Sequence, residues 1–516
     1  MAQTTAPTNP TAAGHGGETG AAPPAKRTFG RAFWMLNGIE MWERLAYFCV
    51  RVMAPIYIMQ ADDPGGLHLT AADKGVIYAW WAVFQSILPM FTGGFADRYG
   101  YKKTLAFSVG MNITGYVMMA FMRSYLGFFA GILVLATGTA FFKPSIQGSL
   151  AQNLNKENSS VGWGVFYWVV NIGGAAGPFV ATLMLGTPHT VEAWRNLFLA
   201  SAGFTCLNLL MLFTFQDVPS GADKRDGPVK VFLRTVTNIF EPRLVAWLAI
   251  MSCFWLMMYQ LWDLHPNFIA DWVDTSALAN VLAPFGGVFV EPSPTGGLRV
   301  PQQILLNINA LFIVAFVIPV SWLVRKLRTL SCMLIGMGLA TGGILVAGLT
   351  ASGTILAAGI VLFSLGEMLT GPKKNEYLGL IAPPGKKGLY LGYVNIPVGV
   401  GAGIGSWMAG HIYGTYGEKA NLALRYLAEK TPFGAGKGWD GSMGTLEATL
   451  GVTRPEAFAK LQEVTGLDPM AATRLLWDTY DPHLHVWLPF AAIGVVAFLA
   501  LAVFGQLAKR WKDMDA

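Results

Sequence analysis

The run Glu40-Met41-Trp42-Glu43-Arg44-Leu45-Ala46-Tyr47-Phe48 sits inside an apolar stretch, Met35 to Met59, that is otherwise suited to crossing a membrane. Each charge at a bilayer centre costs roughly 2.5–3.5 kcal/mol. In a helix Glu40 lies beside Glu43 at i,i+3 and beside Arg44 at i,i+4, and Tyr47 and Arg51 continue the same face. Such a stripe has to face a water-filled cavity or a partner group. A static ion pair stapling two helices is the plain alternative, but two carboxylates around one arginine exceed what a staple requires. The stripe therefore predicts helices packed around a polar pathway.

Composition agrees. The chain has 516 residues, 53% hydrophobic and 13% charged, with a mean hydropathy of +0.45. That charged share is about half of what soluble domains carry, so the expectation is an all-α integral membrane protein. A pI near 9.0 does not imply nucleic acid, because Lys and Arg fall in short clusters at segment ends, where they set topology. Cys49, Cys206, Cys253 and Cys332 lie in apolar segments and read as small buried hydrophobes. Residues 1–28, rich in Ala, Gly, Thr and Pro, read as a disordered tail without a signal-peptide core.

Twelve segments are long enough to span: 33–60, 75–97, 103–122, 126–150, 161–186, 196–216, 243–273, 303–324, 330–350, 354–382, 387–414 and 486–508. One set of loops holds Arg98, Lys102 and Lys103; Lys224, Arg225 and Lys230; Arg325, Lys326 and Arg328; Lys386 and Lys387; and Lys509, Arg510 and Lys512. The opposite loops are poor in them, 61–74 holding only Lys74. The rich side, with both termini, is expected in the cytoplasm of a plasma (inner) membrane protein. The polar linker 217–242 then divides a bundle of six spans, 29–216, from a second, 243–516. Six plus six suits a transporter with a site at mid-membrane. An extracytoplasmic insertion, 415–485, has helical patterning and can be a lid, a partner surface or a spacer.

Several motifs add a resemblance. Gly93-Gly94-Phe95-Ala96-Asp97-Arg98-Tyr99-Gly100-Tyr101-Lys102-Lys103 resembles the cytoplasmic loop signature of the major facilitator superfamily, with Asp97 and Arg98 as latch charges. The helix-1 run resembles the Glu-x-x-Glu-Arg-Phe-x-Tyr-Tyr signature of the proton-coupled oligopeptide transporters, with Leu45 and Phe48 at the divergent places. Lys143 before Pro144, Asn171 in Tyr167-Trp168-Val169-Val170-Asn171-Ile172-Gly173, Gln260 after Trp255, Asn309 before Pro319, and Glu367 after Gly366 resemble that family's fourth, fifth, seventh, eighth and tenth helices. The chain is identified as a divergent member.

The resemblance implies a twelve-helix major facilitator fold and proton-coupled import of di- or tripeptides. Proton coupling falls to Glu40, Glu43, Arg44 and Glu367. Substrate binding falls to Arg44, Tyr47, Lys143, Asn171, Gln260, Asn309 and Glu367. The residues support this on their own terms. Arg44 can grip a carboxylate through two parallel hydrogen bonds, a buried carboxylate can take up a proton, and Asn171 and Asn309 each offer a donor and an acceptor to a peptide amide. Lys143 can instead be a snorkelling helix-end lysine, and Asn171 a helix–helix hydrogen bond.

Departures mark the second half. Tyr259 stands before Gln260 where many members carry a carboxylate; Asp263 takes that role one turn later or sits near the outer end. Lys373, Lys374 and Glu376 follow Pro372, where the family runs apolar. Asp263, Lys373, Lys374 and Glu376 are assigned to gating with Asp97 and Arg98, the 373–376 cluster pairing with carboxylates of the first bundle. The competing readings are a second anion site or a tenth helix that ends near Pro372. No cofactor other than protons as coupling ion, no metal, no nucleic acid and a monomer in the lipid bilayer are expected. The alternatives are a transporter for an organic anion or amino-acid derivative, and a non-transporting receptor or scaffold. No nucleotide loop, nucleophile elbow or metal-spaced His or Cys set suggests an enzyme.

Overall fold

A computed structural model describes residues 29–154, 158–217, 238–293, 296–381 and 393–510. The expected 1–28 tail and residues 218–237 of the expected linker lie outside them. The first half is built from α1 (Arg31–Arg51), α2 (Ala54–Met59), α3 (Ala71–Ile87), α4 (Pro89–Tyr99), α5 (Tyr101–Phe121), α6 (Tyr125–Gln152), α7 (Ser159–Leu185) and α8 (Val191–Leu212). The second half opens with α9 (Pro242–Met258), α10 (Gln260–Asp263) and α11 (His265–Trp272), which follow one another through the single residues Tyr259 and Leu264. The Gly- and Pro-rich loop after it forms α12 (Ser276–Leu282) and a small hairpin, Glu291–Pro292 against Leu298–Arg299. Then come α13 (Gln302–Leu323), α14 (Thr329–Gly348), α15 (Gly353–Ile381), α16 (Ile396–Tyr416), four short helices α17 (Lys419–Lys430), α18 (Leu446–Leu450), α19 (Arg454–Thr465) and α20 (Pro469–Tyr480), and finally α21 (Pro482–Arg510).

Among the described residues nine helices are long and apolar enough to cross a membrane, ten when the α3–α4 pair, bent by 42°, counts as one span. Two further helices of the same length, α1 and α16, complete the expected set. Charge disqualifies α1 by composition, and α16 is diluted by Gly399, Gly401, Gly403 and Gly405. The polar stripe of α1 and the close glycine packing of α16 on α3 and α9 make these two sequences less lipid-like than the other spans.

The spans form two six-helix bundles. In the first, α1 packs on α7 and α8, α5 on α6 and α8, and α3 and α4 on α6; in the second, α14 packs on α15 and α21, α9 on α16 and α21, and α13 on α15. The bundles meet along α3 with α16 and α7 with α13. The α3–α16 seam depends on glycine: a Cβ on Gly75 would sit 2.8 Å from the Ser406 carbonyl oxygen and 3.0 Å from Gly410 Cα. Pro372 lies inside α15 and does not end it, so the helix continues to Ile381.

The insertion is more than a spacer. The Trp272 indole donates to the Gly417 carbonyl at 2.7 Å, tying it to the second bundle. Arg454, opening α19, pairs with Glu418 and donates to the carbonyls of Met59, His68 and Leu69 at 3.2 Å each, tying it to the first. Below α19 and α20 lies a vestibule of about 790 Å³, with Gln60, Asp271 and Gln302 in its wall.

Candidate transport pathway

The polar stripe of α1 faces the interior of the protein. Arg44 Nε lies 3.3 Å from Glu40 Oε1, and its guanidinium pairs directly with Glu43. Glu40, Glu43 and Arg44 are 6%, 1% and 7% exposed, so water screens these charges poorly and each is sensitive to a nearby proton or ion. Glu43 Oε1 and Glu40 Oε2 are buried without a hydrogen-bond donor. Lys143 on α6 lies within electrostatic reach of Glu40, Glu43 and Arg44. Tyr47 carries the Arg44 guanidinium 5.1 Å from its ring centroid and donates its hydroxyl to Gln85 on α3 at 2.8 Å.

The facing wall belongs to the second bundle. Asn309 on α13 donates to Glu367 Oε2 at 2.9 Å and to Ser364 Oγ at 3.0 Å, which holds the carboxylate of α15 in place. Both line a cavity of about 120 Å³ together with Asn171, Asn307, Phe48 and Trp262, so this cavity is walled by both bundles. The Asn171 amide donates to the Tyr167 carbonyl of its own helix at 2.8 Å.

Toward the insertion, the pathway is closed. Asp263 pairs with Arg51, accepts from Ser406 and, through its backbone carbonyl, from Lys74 Nζ at 2.7 Å. Lys74 also donates to Asn267 at 2.9 Å; Asn267 donates to Gln60 at 3.1 Å and to the Pro55 carbonyl at 3.0 Å; Gln60 donates to Asp271 at 2.8 Å. Arg51, Pro55, Gln60 and Lys74 come from the first bundle, the others from the second. Gln302 adds a bond to the Val52 carbonyl at 3.2 Å, Gln303 one to Thr182 at 3.0 Å, and Asn307 one to the Ala175 carbonyl at 2.8 Å. Each of these side-chain bonds between bundles lies level with the Glu367 cavity or nearer the insertion.

Three assignments made from sequence need correcting. Gln260 is fully buried, donates to the Leu256 carbonyl at 2.7 Å and packs on Gly405; it does not line the cavity. Lys373 pairs with Glu376 of its own helix at 2.7 Å, and Glu376 accepts from Thr329 at 2.6 Å, all within the second bundle. Among the described residues Lys373 pairs with no first-bundle carboxylate and Glu376 with no first-bundle cation. Lys374 points elsewhere, 4.2 Å from the Trp255 ring centroid, and the first-bundle charge near it is Lys143, a cation. Of the loop latch, Asp97 accepts from Tyr101 at 2.7 Å and Arg98 is exposed.

Sequence reading missed Lys74, Gln60, Asn267, Asp271, Ser406 and Arg454. A signal existed for Lys74. It stands in the first turns of α3, where the helix dipole disfavours a cation, in a loop otherwise bare of Lys and Arg.

The major facilitator superfamily model matches residues 43–298. The uncharacterized transporter YclF of Bacillus subtilis (strain 168) is 24% identical over 59% of this chain and 70% of its own. Dipeptide and tripeptide permease A of Serratia proteamaculans (strain 568) is 22% identical over 47% of this chain, and the match spans only 45% of that permease. Among solved structures, a peptide transporter POT in complex with alafosfalin superposes at a TM-score of 0.65, with 16% identity over 94% of this chain and 96% of its own. The nucleoside transporter NupG superposes at 0.64, with 13% identity over 92% of this chain and 99% of its own. These are membrane transporters, not enzymes. The chain belongs to the major facilitator superfamily, and its likenesses gather on the oligopeptide transporter (POT) branch of it.

Proposed function

We propose that the protein is a proton-coupled symporter that imports di- or tripeptides, or closely related small zwitterions, by alternating access. The observation that carries this reading is the division of charge between two walls: Glu40, Glu43, Arg44 and Lys143 on the first bundle, and Glu367, held by Asn309, on the second. A zwitterion needs a cation and an anion a few ångströms apart. Here each comes from a different bundle, so bound substrate draws the walls together.

In the proposed cycle Arg44 pairs with Glu40 and Glu43 when the site is empty. A proton on one carboxylate frees the guanidinium, which with Lys143 takes the substrate carboxylate, and Glu367 takes the ammonium. A proton on a carboxylate and a substrate carboxylate on Arg44 each undo the same pairing, so proton uptake and substrate binding support each other. The Lys- and Arg-rich loops support termini and open end in the cytoplasm, with the insertion outside.

The test is uptake of labelled dialanine into proteoliposomes under an imposed proton gradient. Wild type should concentrate it. Glu43→Gln should lose concentrative uptake and keep counterflow exchange. Normal accumulation by both Glu43→Gln and Glu40→Gln would overturn the coupling assignment.

A further inference from the structure

Lys374 has no part in the cycle above, yet two of its charged groups, Glu367 and Lys143, act on it. Its neighbour Lys373 is neutralised by Glu376 at 2.7 Å. Lys374 lies on a different face of α15, with Nζ 4.2 Å from the Trp255 ring centroid and with Glu367 and Lys143 as the charges that act on it. Among the described residues neither Lys374 nor Lys143 makes an ion pair with a carboxylate. A ring face attracts an ammonium and orients it, but carries no net charge to cancel it. Trp255 therefore orients Lys374 without pairing it, and Glu367 is the carboxylate that acts on it from a distance.

Formal charges make the point sharper. Glu40, Glu43 and Glu367 oppose Arg44, Lys143 and Lys374, so the chamber is balanced when all are ionised. One coupling proton on α1 leaves it positive, in surroundings where charge is weakly screened. A neutral zwitterion leaves that excess in place; a substrate of net charge −1 removes it.

Spacing also fits. Glu367 and Lys374 are seven residues apart, close to two helical turns, so they share a face and are separated by about 10.5 Å of rise. An extended peptide advances about 3.3–3.6 Å per residue. An ammonium on Glu367 thus leaves Lys374 within range of an acidic side chain, while the terminal carboxylate goes to Arg44 and Lys143.

We propose that Lys374, presented by Trp255, forms a second anion subsite, and that the preferred substrates are peptides with an additional acidic side chain. This rests on the peptide-symport reading and specifies its substrate class.

The experiment is competition against labelled dialanine uptake by the full chain in proteoliposomes, using Ala-Glu, its neutral isostere Ala-Gln, and Ala-Lys. In wild type Ala-Glu should inhibit at a concentration at least tenfold below Ala-Gln, with Ala-Lys weaker still. Lys374→Gln should bring the Ala-Glu to Ala-Gln ratio to about one by weakening Ala-Glu, and Lys374→Arg should restore it. Equal inhibition by Ala-Glu and Ala-Gln in wild type overturns the subsite without needing any variant. So does a Lys374→Gln loss shared equally by both peptides, which would assign Lys374 to the terminal carboxylate. Absence of any peptide uptake overturns the symport reading itself, whereas dialanine uptake without acid preference overturns the subsite alone.

Discussion

Asparagine at position 263 should open the end of the protein that carries the insertion. Asp263 is 1% exposed and pairs with Arg51, whose side chain is 8% exposed. Deleting one partner of a buried pair costs about 3–5 kcal/mol, because a charge is left in a poorly solvated place. The lower end applies here. The Arg51 guanidinium keeps the Tyr78 ring at 4.0 Å and the Trp81 ring at 4.9 Å, and such contacts return about 0.5–2 kcal/mol. The Lys74 bond is untouched, since it uses the backbone carbonyl of residue 263. The closed arrangement alone bears the cost, because opening lets water reach Arg51. A loss of about 3 kcal/mol, at about 1.4 kcal/mol per tenfold, moves the equilibrium roughly a hundredfold toward open. A protein 99% closed would become an even mixture.

Spin labels at Glu192→Cys and Ala351→Cys, both exposed at that end on different bundles, report the change by electron–electron resonance; exposed Cys206 is first replaced by Ser. Asp263→Asn should add a population at longer distance. The double variant Arg51→Gln/Asp263→Asn removes both charges, so it should close again by more than the two single effects allow if they were independent. A distance distribution unchanged by Asp263→Asn, or a double variant as open as the sum of the singles, would refute the gate.

Two further outcomes follow from the same closed end. Gly75→Leu should also lengthen the 192–351 distance, because its Cβ would meet the Ser406 carbonyl oxygen at 2.8 Å and overpacking costs about 1–3 kcal/mol; a wild-type distribution would count against the α3–α16 seam. In the insertion, burial pushes the Glu418 carboxyl up to about 7 from 4.5 against the pull of Arg454. A folded-state value raised in this way contributes stability that is fully present below pH 4.5 and lost as pH rises through about 7, so Glu418→Gln should flatten the fall in melting temperature between pH 5 and pH 8. An unchanged slope would show that Glu418 does not sense the docked insertion.

Much of this organisation was legible from the chain alone. Twelve spans show as apolar runs of bilayer length, and the stripe on α1 shows because charges in such a run have few explanations. Asn171, Asn309 and Glu367 line one cavity, and Lys143 lies within electrostatic reach of the charges on α1. What stayed illegible was the pairing between bundles. Lys74 and the Asp263 carbonyl are 189 residues apart, and Arg454 and the Met59 carbonyl 395. Contacts of that range depend on which helix ends face each other, and local periodicity carries no information on that.

Helix phase accounts for the remaining differences. Neighbouring residues on a helix point about 100° apart, so Lys373 and Lys374 meet different partners, Glu376 and Trp255. Counting back seven residues to Glu367 singles out Lys374, and that spacing is visible without a structure. Gln260 defeats the same reasoning, because its side chain packs on Gly405 of α16 inside the second bundle instead of facing the cavity. Three residues further on, Asp263 reaches Arg51 and Ser406. The seventh span thus withholds one expected binding group from the cavity and, one turn later, supplies the carboxylate of the gate above it.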